Sequence, residues 1–232
     1  MAIERGGRVR GTGERAGIWL EVEGTPYRVC PGVYFPADDT YLLIDAMARD
    51  LAVLARDRLA WSVLDVGSGT GVVSLFFAAV LPNARVVAVD VGQAASRCAK
   101  SNLSRRGVGS RAFVVRGSLL GALRPGATFN LVAFNPPYLP SDERDGPADE
   151  VTAAWDGGPT GVELTAKFLD EVAFFLAPAA KVYLVASSLA NLAGVEQAAA
   201  QNGLDVEIVA REHFFFEDLV VYRLVDDRAK GE

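Results

Sequence analysis

The sequence has 232 residues, of which 50% are apolar and 22% charged, and this composition suits one α/β domain with a sizeable core. The formal net charge of −6 argues against sequence-independent nucleic-acid binding, which depends on many Lys and Arg contacts to phosphates. Cys30 and Cys98 form no CxxC pair, and the only histidine is His213. We therefore expect two reduced thiols, with neither a disulfide framework nor a bound metal.

The N-terminus predicts a tail rather than a targeting segment. Residues 1–16 are polar, Gly-rich and basic, and they lack the apolar stretch of a signal peptide. We expect them to form a flexible tail ahead of one domain over residues 17–232. Because the longest apolar runs are too short to span a bilayer, we expect a cytoplasmic protein without membrane contact.

The remaining chain alternates between predicted strands and helices. Two short runs around a Glu-Gly-Thr-Pro turn predict a β-hairpin over 17–29, and helical spacing of apolar residues predicts a helix over 40–59. Strands are then predicted over 61–67, 84–90, 111–117, 129–138, 181–188, 204–216 and 218–225, and helices over 72–82, 94–107, 161–178 and 191–203. This order predicts a seven-stranded, mostly parallel Rossmann-like sheet with helices on both faces and an antiparallel last strand pair.

A glycine-rich loop joins the strand over 61–67 to the next helix. Asp65 ends the strand, and Gly67, Gly69 and Gly71 let the backbone turn sharply and approach a ligand closely. The acid before the first glycine favours S-adenosylmethionine as the ligand. So does the GxGxG spacing, which has Val72 where a dinucleotide fingerprint has its third glycine. Dinucleotide binding is the alternative interpretation of this loop.

A second acid, Asp90, ends the next strand about 20 residues after the glycine loop. Acids at the carboxyl ends of parallel strands lie in the ligand crevice, where a carboxylate can accept hydrogen bonds from both hydroxyls of a ribose. The alternative is a residue that caps the following helix. Both cofactor classes contain a ribose, so Asp90 indicates a nucleoside site without choosing between them.

The strand over 129–138 ends in the motif Asn135-Pro136-Pro137-Tyr138, at the same edge of the predicted sheet. An amide or aromatic-amine nitrogen is a poor nucleophile because its lone pair is delocalised. The Asn135 side-chain oxygen and the Pro136 carbonyl can accept both hydrogens of one NH2 group and aim its nitrogen at a methyl donor. The prolines keep the turn rigid, and Tyr138 offers a face for a planar group. We predict catalytic roles for Asn135, Pro136 and Tyr138, and substrate contacts for Asn135, Pro137 and Tyr138.

These residues resemble the NPPY group of class I methyltransferases, and within it the HemK-type protein-glutamine methyltransferases of the short archaeal and eukaryotic release-factor type. Residues 33–40 are similar to a P-A-E-D-T-like element of that family, and residues 155–161 to its W-x-G-G-x-x-G stretch. The resemblance covers roughly residues 17–225 and implies the class I methyltransferase fold. It leaves no room for the N-terminal helical substrate domain of the bacterial enzymes.

The resemblance also implies which residues contact the cofactor, S-adenosyl-L-methionine. Thr40 would contact its amino-acid end, Asp65 and Gly67 would line the methionine moiety, and Asp90 would bind the ribose hydroxyls. Asn135 would contact the cofactor and would also hold the substrate amide beside the transferable methyl group. The family usually has Asp-Leu at the adenine amine. Ser118-Leu119 stand there in this chain, and the serine hydroxyl can still accept a hydrogen bond.

The family's substrate is the glutamine of the Gly-Gly-Gln tip of a class I peptide chain release factor. Its usual partner is a small zinc-binding activator protein that adds a strand beside the third strand of the sheet. Residues 111–120 are apolar and are predicted to lie at the sheet edge, which suits strand addition. The alternative is an ordinary edge strand, blunted by Arg111 and Arg116.

Two other activities fit the same four-residue motif. One is methylation of an adenine amine in rRNA, tRNA or DNA, and the other is methylation of a protein lysine. An acidic loop over 142–150 is either a lid over the substrate or a solvated segment. We expect Phe214, Phe215 and Phe216 to pack in the core, with a protein-binding patch as the alternative.

Overall fold

The computed structural model describes residues 18–54, 60–141 and 156–226. An antiparallel hairpin of β1 (Ile18–Val22) and β2 (Thr25–Val29) precedes helix α1 (Asp38–Leu54). The hairpin therefore forms where the sequence predicted it, and α1 buries Leu43 and Met47 completely. The predicted tail, the end of the predicted helix over 40–59 and the acidic loop lie outside the described residues.

The central sheet has seven strands in the order β5-β4-β3-β6-β7-β9-β8. Neighbouring strands from β5 to β7 are parallel, and β9 is antiparallel to both β7 and β8. This arrangement confirms the predicted fold class. The strands are β3 (Ser62–Val66), β4 (Arg85–Asp90), β5 (Ala112–Arg116), β6 (Phe129–Phe134), β7 (Leu176–Ser187), β8 (Leu204–Phe214) and β9 (Glu217–Asp226), and the helices α2 (Val72–Val80), α3 (Gln93–Arg105), α4 (Glu163–Val172) and α5 (Leu192–Gln201).

Two hydrophobic clusters cover the two faces of this sheet. Successive side chains of a strand point to opposite faces, so Val63 joins the cluster formed with α1, α2 and the hairpin, whereas Leu64 joins the cluster formed with α4 and α5. Phe76 and Phe168 are completely buried in the first and second cluster, respectively. With both faces covered, the carboxyl edge of the parallel strands is where loops can form a ligand crevice.

Helix α4 ends at Val172, so the predicted helix over 161–178 was too long. A 3-10 turn over Ala173–Phe175 follows, and Leu176 already pairs with Phe129 of β6. Pro178 has no backbone N–H and cannot continue a helix. The apolar pattern runs across this boundary without a break, which is why the sequence placed the helix end too late.

A disulfide joins Cys30, which follows β2, to Cys98 in α3, so the prediction of two reduced thiols was wrong. Asn102 of α3 also joins this helix to β2 and to the glycine loop, because its Nδ2 donates to the carbonyls of Arg28 and Thr70, both at 2.8 Å. Its Oδ1 accepts from the Arg28 N–H at 3.0 Å. These contacts hold the cysteine Cα atoms 5.9 Å apart, within bridging range. A separation of 68 residues gave no sign of this pairing.

Strand β5 lies at one edge of the sheet, as predicted for residues 111–120, and β8 lies at the other. Phe113 on β5 is 41% exposed, and the Arg85 guanidinium lies 5.6 Å from its ring centre. Arg111 does not blunt this edge, because it donates inward to the carbonyls of Ala78 at 2.6 Å and Ala84 at 3.3 Å. Among the described residues, no helix combines the length and apolar character needed to cross a membrane.

The turn between β8 and β9 differs from the prediction. Phe214 packs partly buried against the core, as expected. Phe215 and Phe216 are 88% and 82% exposed, so the expectation that they pack in the core was wrong. They occupy the two turn positions of the hairpin, and no element of the described residues covers them.

Candidate active site

A crevice of about 630 Å³ opens at the carboxyl ends of β3, β4 and β6. This volume lies in the range of about 300–1,000 Å³ that is typical of small-molecule sites. The crevice wall brings together nearly all the site residues predicted from the sequence, namely Thr40, Asp65, Gly67, Gly69, Asp90, Ser118, Leu119, Asn135, Pro136, Pro137 and Tyr138. Gly71 is the predicted site residue that does not line it.

Gly71 supports the crevice from behind. It precedes α2 with a φ of 79°, and a Cβ atom placed there would lie 3.0 Å from the Cα and Cβ of Ala99 in α3. Only glycine therefore allows this turn and the close approach of the two helices. In the same loop, the hydroxyl oxygens of Ser68 and Thr70 are buried, and no described residue forms a hydrogen bond with them. They are available to a ligand in the crevice.

Asp90 bonds to the backbone on both sides of the crevice and also lines it. Its Oδ1 accepts from the Gly92 N–H at 2.8 Å, at the start of α3. Its Oδ2 accepts from the Gly69 N–H at 2.7 Å and thereby fixes the glycine loop. The carboxylate is half-buried and remains on the crevice wall. It both organises the helix start and presents negative charge to the site.

Asp65 is a buried carboxyl group under the glycine loop. Its Oδ2 accepts a 2.6 Å hydrogen bond from Ser74 Oγ of α2. Burial raises the pKa of Asp65 to about 7, the hydrogen bond from Ser74 opposes this shift, and the negative charge of Asp90 adds to it. A positively charged ligand in the crevice would favour the ionised form.

The structure fixes which way the Asn135 amide points. Its Nδ2 donates to Asp39 Oδ2 at 3.0 Å and to Thr40 Oγ1 at 3.2 Å. The opposite orientation would place the amide oxygen against the Asp39 carboxylate. Asn135 lines the crevice, and its Oδ1 is consequently buried with no partner among the described residues. An acceptor held in this way, at a cost in desolvation, is preorganised for an N–H donor.

Two tyrosines complete the cluster around Asp39. The Asp39 Oδ2 accepts from Tyr34 OH at 2.9 Å and from Tyr138 OH at 3.4 Å. Burial raises the pKa of both phenols, and the negative charge of Asp39 raises it further. Both tyrosines therefore remain protonated donors, and both line the crevice.

A glycine stretch packs directly against the Asn-Pro-Pro-Tyr turn. The Gly157 N–H donates to the Leu139 carbonyl at 2.8 Å, and Ser141 N–H donates to the Gly158 carbonyl at 2.9 Å. Gly161 has a φ of 75°, and a Cβ atom there would overlap the Tyr138 carbonyl oxygen. The glycines noted in the sequence therefore brace the motif from outside, whereas Trp155 lies outside the described residues.

Ser118 and Leu119 line the crevice at the end of β5. Ser118 is exposed, and its carbonyl accepts from the Gly121 N–H at 3.2 Å. Leu119 is buried and has a φ of 45°, which is uncommon for leucine. The sequence thus identified the right segment for one wall of the crevice.

Sequence reasoning missed the roles of Asp39, Tyr34 and Ser74. Asp39 stands next to Thr40 in a segment noted for its resemblance, but its function depends on a contact to Asn135, 96 residues away. Ser74 follows Asp65 by nine residues and reaches it only because α2 folds back over β3. A buried hydroxyl one turn into an otherwise apolar helix was the one available signal.

Sequence comparisons with known proteins identify methyltransferases as relatives of this chain. The family model described as methyltransferase small domain matches residues 38–150. The putative protein N5-glutamine methyltransferase of Methanocaldococcus jannaschii is 31% identical over 87% of this chain and 96% of its own length. The release factor glutamine methyltransferase of Moorella thermoacetica is 33% identical over 66% of this chain, and the match spans only 53% of that longer protein.

A solved structure shares the fold. The Mtq2–Trm112 complex of E. cuniculi, described as responsible for methylation of the termination factor eRF1, matches with a TM-score of 0.60 and 23% identity. The match covers 84% of this chain and 99% of that chain. The Methanocaldococcus jannaschii relative matches nearly the full length of both proteins, and the methyltransferase family model and the Asn-Pro-Pro-Tyr site agree with it. The chain therefore belongs to the protein N5-glutamine methyltransferase family.

Proposed function

We propose that the protein transfers a methyl group from S-adenosyl-L-methionine to the side-chain amide nitrogen of glutamine. The observation that carries this proposal is the buried, unpartnered Oδ1 of Asn135 on the crevice wall. Together with the Pro136 carbonyl it can accept both hydrogens of a glutamine NH2 group. The Asp39 carboxylate holds the Asn135 amide in the orientation that this requires.

The residues of the crevice fit the proposed cofactor. The unpartnered Ser68 and Thr70 hydroxyls and the buried Asp65 suit its charged amino-acid end, while Asp90 suits the ribose hydroxyls. Thr40 would contact the same amino-acid end and already accepts a hydrogen bond from Asn135. The cofactor would supply a methyl group activated by a sulfonium sulfur, so the protein needs to orient the nucleophile rather than to activate it strongly.

The proposed protein substrate is a class I peptide chain release factor, methylated at the glutamine of its Gly-Gly-Gln tip. The names of the relatives from Moorella thermoacetica and other bacteria support this assignment. Tyr138 lines the crevice, and its ring can offer a surface on which the planar glutamine amide lies. The net charge of −6 suits a protein substrate better than RNA.

We propose that a small zinc-binding activator protein pairs with the free edge of β5. The exposed Phe113 offers apolar surface beside this edge, and Arg111 is turned away from it. The E. cuniculi relative was solved in complex with Trm112, which supports a small partner of this kind. Strand addition would supply the backbone hydrogen bonds that an edge strand lacks.

A labelling experiment tests the substrate. The protein, co-expressed with the activator, is incubated with radiolabelled S-adenosylmethionine and one of three acceptors. These are a purified release factor, the same factor with its tip glutamine changed to asparagine, and total RNA. We expect label in the first acceptor only. Label in RNA alone would support the adenine-amine alternative, and label that survives the glutamine change would indicate another residue such as lysine.

A further inference from the structure

The turn between β8 and β9 lies at the same edge of the sheet as the active site. Ser187, at the carboxyl end of β7, pairs with Leu219 near the start of β9, and Ser188 N–H donates to the Asp218 carbonyl at 2.9 Å. Strand β7 is parallel to β6, whose carboxyl end leads into Asn135. The hairpin tip of residues 215–217 therefore stands beside the mouth of the crevice.

Glu217 in this tip carries a buried carboxylate oxygen without a partner. Its Oε1 has no hydrogen bond within the described residues. Glu217 lies near both tyrosines of the crevice. Burial and the charge of Asp39 are the main causes of the raised pKa of Tyr34 and of Tyr138, and the negative charge of Glu217 adds to both. An unpaired, partly buried carboxylate is costly, and it is stabilised by a donor or cation that arrives from outside.

The two residues before Glu217 are aromatic and almost fully exposed. Phe215 and Phe216 contact each other edge to face, with ring centres 4.5 Å apart. Turn positions favour Gly, Asn or Asp, so two exposed phenylalanines here are not explained by the turn itself. An exposed aromatic ring suits a Lys or Arg side chain through a cation–π contact, and Glu217, the next residue in the chain, can add a charge-assisted contact.

We propose that Phe215, Phe216 and Glu217 form a docking site for a basic side chain of the protein substrate, close to the glutamine that is methylated. This inference rests on the proposed function. The charge of Glu217 complements a cation, and the pairing of β6, β7 and β9 places the tip at the sheet edge that carries Asn135. The site therefore acts on substrate choice and not on the methyl-transfer step.

Two synthetic peptides test this docking site. Both contain the Gly-Gly-Gln tip, and the residues beside it are Lys and Arg in one peptide and serine in the other. With the wild-type protein we expect kcat/KM to be about tenfold higher for the basic peptide, in line with a charge-assisted contact. With Glu217→Gln this preference should fall to near one through a higher KM, with kcat for the basic peptide kept within twofold.

Matched variants control for general effects. Phe215→Ser with Phe216→Ser should also reduce the preference, whereas Phe174→Ser, at a phenylalanine that is 80% exposed elsewhere, should not. Glu21→Gln, an exposed acid on β1, should behave as wild type. Methylation of both peptides without a preference, or a preference that survives Glu217→Gln, would overturn the docking site alone. Failure of the wild-type protein to methylate either peptide would overturn the proposed function with it.

Discussion

Replacing Asp39 by asparagine tests how the structure orients the catalytic amide. In the wild-type protein the Asn135 Nδ2 donates to the Asp39 carboxylate at 3.0 Å and to Thr40 Oγ1 at 3.2 Å. A hydrogen bond to a charged group contributes about 1.5–3 kcal/mol and a neutral one about 1 kcal/mol. The variant retains a neutral acceptor, so the orientation loses about 1–2 kcal/mol. Because about 1.4 kcal/mol corresponds to tenfold in rate, kcat should fall roughly tenfold.

The assay is single-turnover methyl transfer at saturating cofactor, with the cofactor Kd measured separately by calorimetry. The matched control is Asp38→Asn, which removes an exposed carboxylate from the same turn of α1. We expect that control to keep wild-type rates. An unchanged kcat in Asp39→Asn would refute the orienting role. So would a loss of cofactor affinity as large as the loss in kcat, because Asp39 would then act on cofactor binding.

Four further predictions follow from particular contacts. Gly161→Ala should lower kcat at least tenfold because its methyl group would displace Tyr138. Gly126→Ala, at a glycine with a similar φ of 78° and open space around it, should leave kcat unchanged. Equal effects of the two substitutions would point to backbone strain alone. Since the pKa of Asp65 is raised to about 7, the cofactor-free protein should lose stability as pH rises from about 4 to about 7. Denaturation at pH 5 and 8 should show that Asp65→Asn removes about 2.5 kcal/mol of this loss. Parallel pH curves for both proteins would contradict it. Reducing the Cys30–Cys98 disulfide, which closes a loop of 68 residues, should destabilise the wild-type protein by about 4 kcal/mol. Thermal melts with and without dithiothreitol measure this loss. A Cys30→Ser variant that still responds to the reductant would show that the loss does not come from this disulfide. Phe113→Glu on the β5 edge should abolish co-purification of the activator. Ile208→Glu, at a residue that is 42% exposed on the β8 edge, should leave co-purification intact. If both variants still bind the activator, the partner binds elsewhere.

The sequence predicted the architecture because its cues were local. Short β-branched runs and helical spacing of apolar residues each report on a few neighbouring residues, and these gave the strands and the order of helices. The end of α4 was misplaced where local apolar character continues through Val172 into Leu176. The disulfide could not be predicted, since the packing of the hairpin against α3 brings Cys30 to Cys98.

In the candidate site, too, the residues whose position follows from the strand order were predicted, and those set by long-range contacts were not. Asp65, Asp90 and Asn135 end strands of one parallel sheet, so topology alone placed them at one edge. The orientation of the Asn135 amide was not predictable, because it is set by a carboxylate on α1. The position of Glu217 was also beyond sequence reasoning, since the pairing of β7 with β9 brings it to the same edge of the sheet as Asn135.

The most direct test of the account removes the Asn135 acceptor itself. Wild-type protein and Asn135→Ala, each co-expressed with the activator, are incubated with S-adenosylmethionine and a release factor, and tandem mass spectrometry locates the added methyl group. Calorimetry measures the cofactor Kd of both proteins. We predict one methyl group on the tip glutamine with the wild-type protein and none with the variant, at a cofactor Kd changed by less than about threefold, equivalent to about 0.7 kcal/mol. Methylation of that glutamine by the variant at the wild-type rate would contradict the role assigned to Asn135.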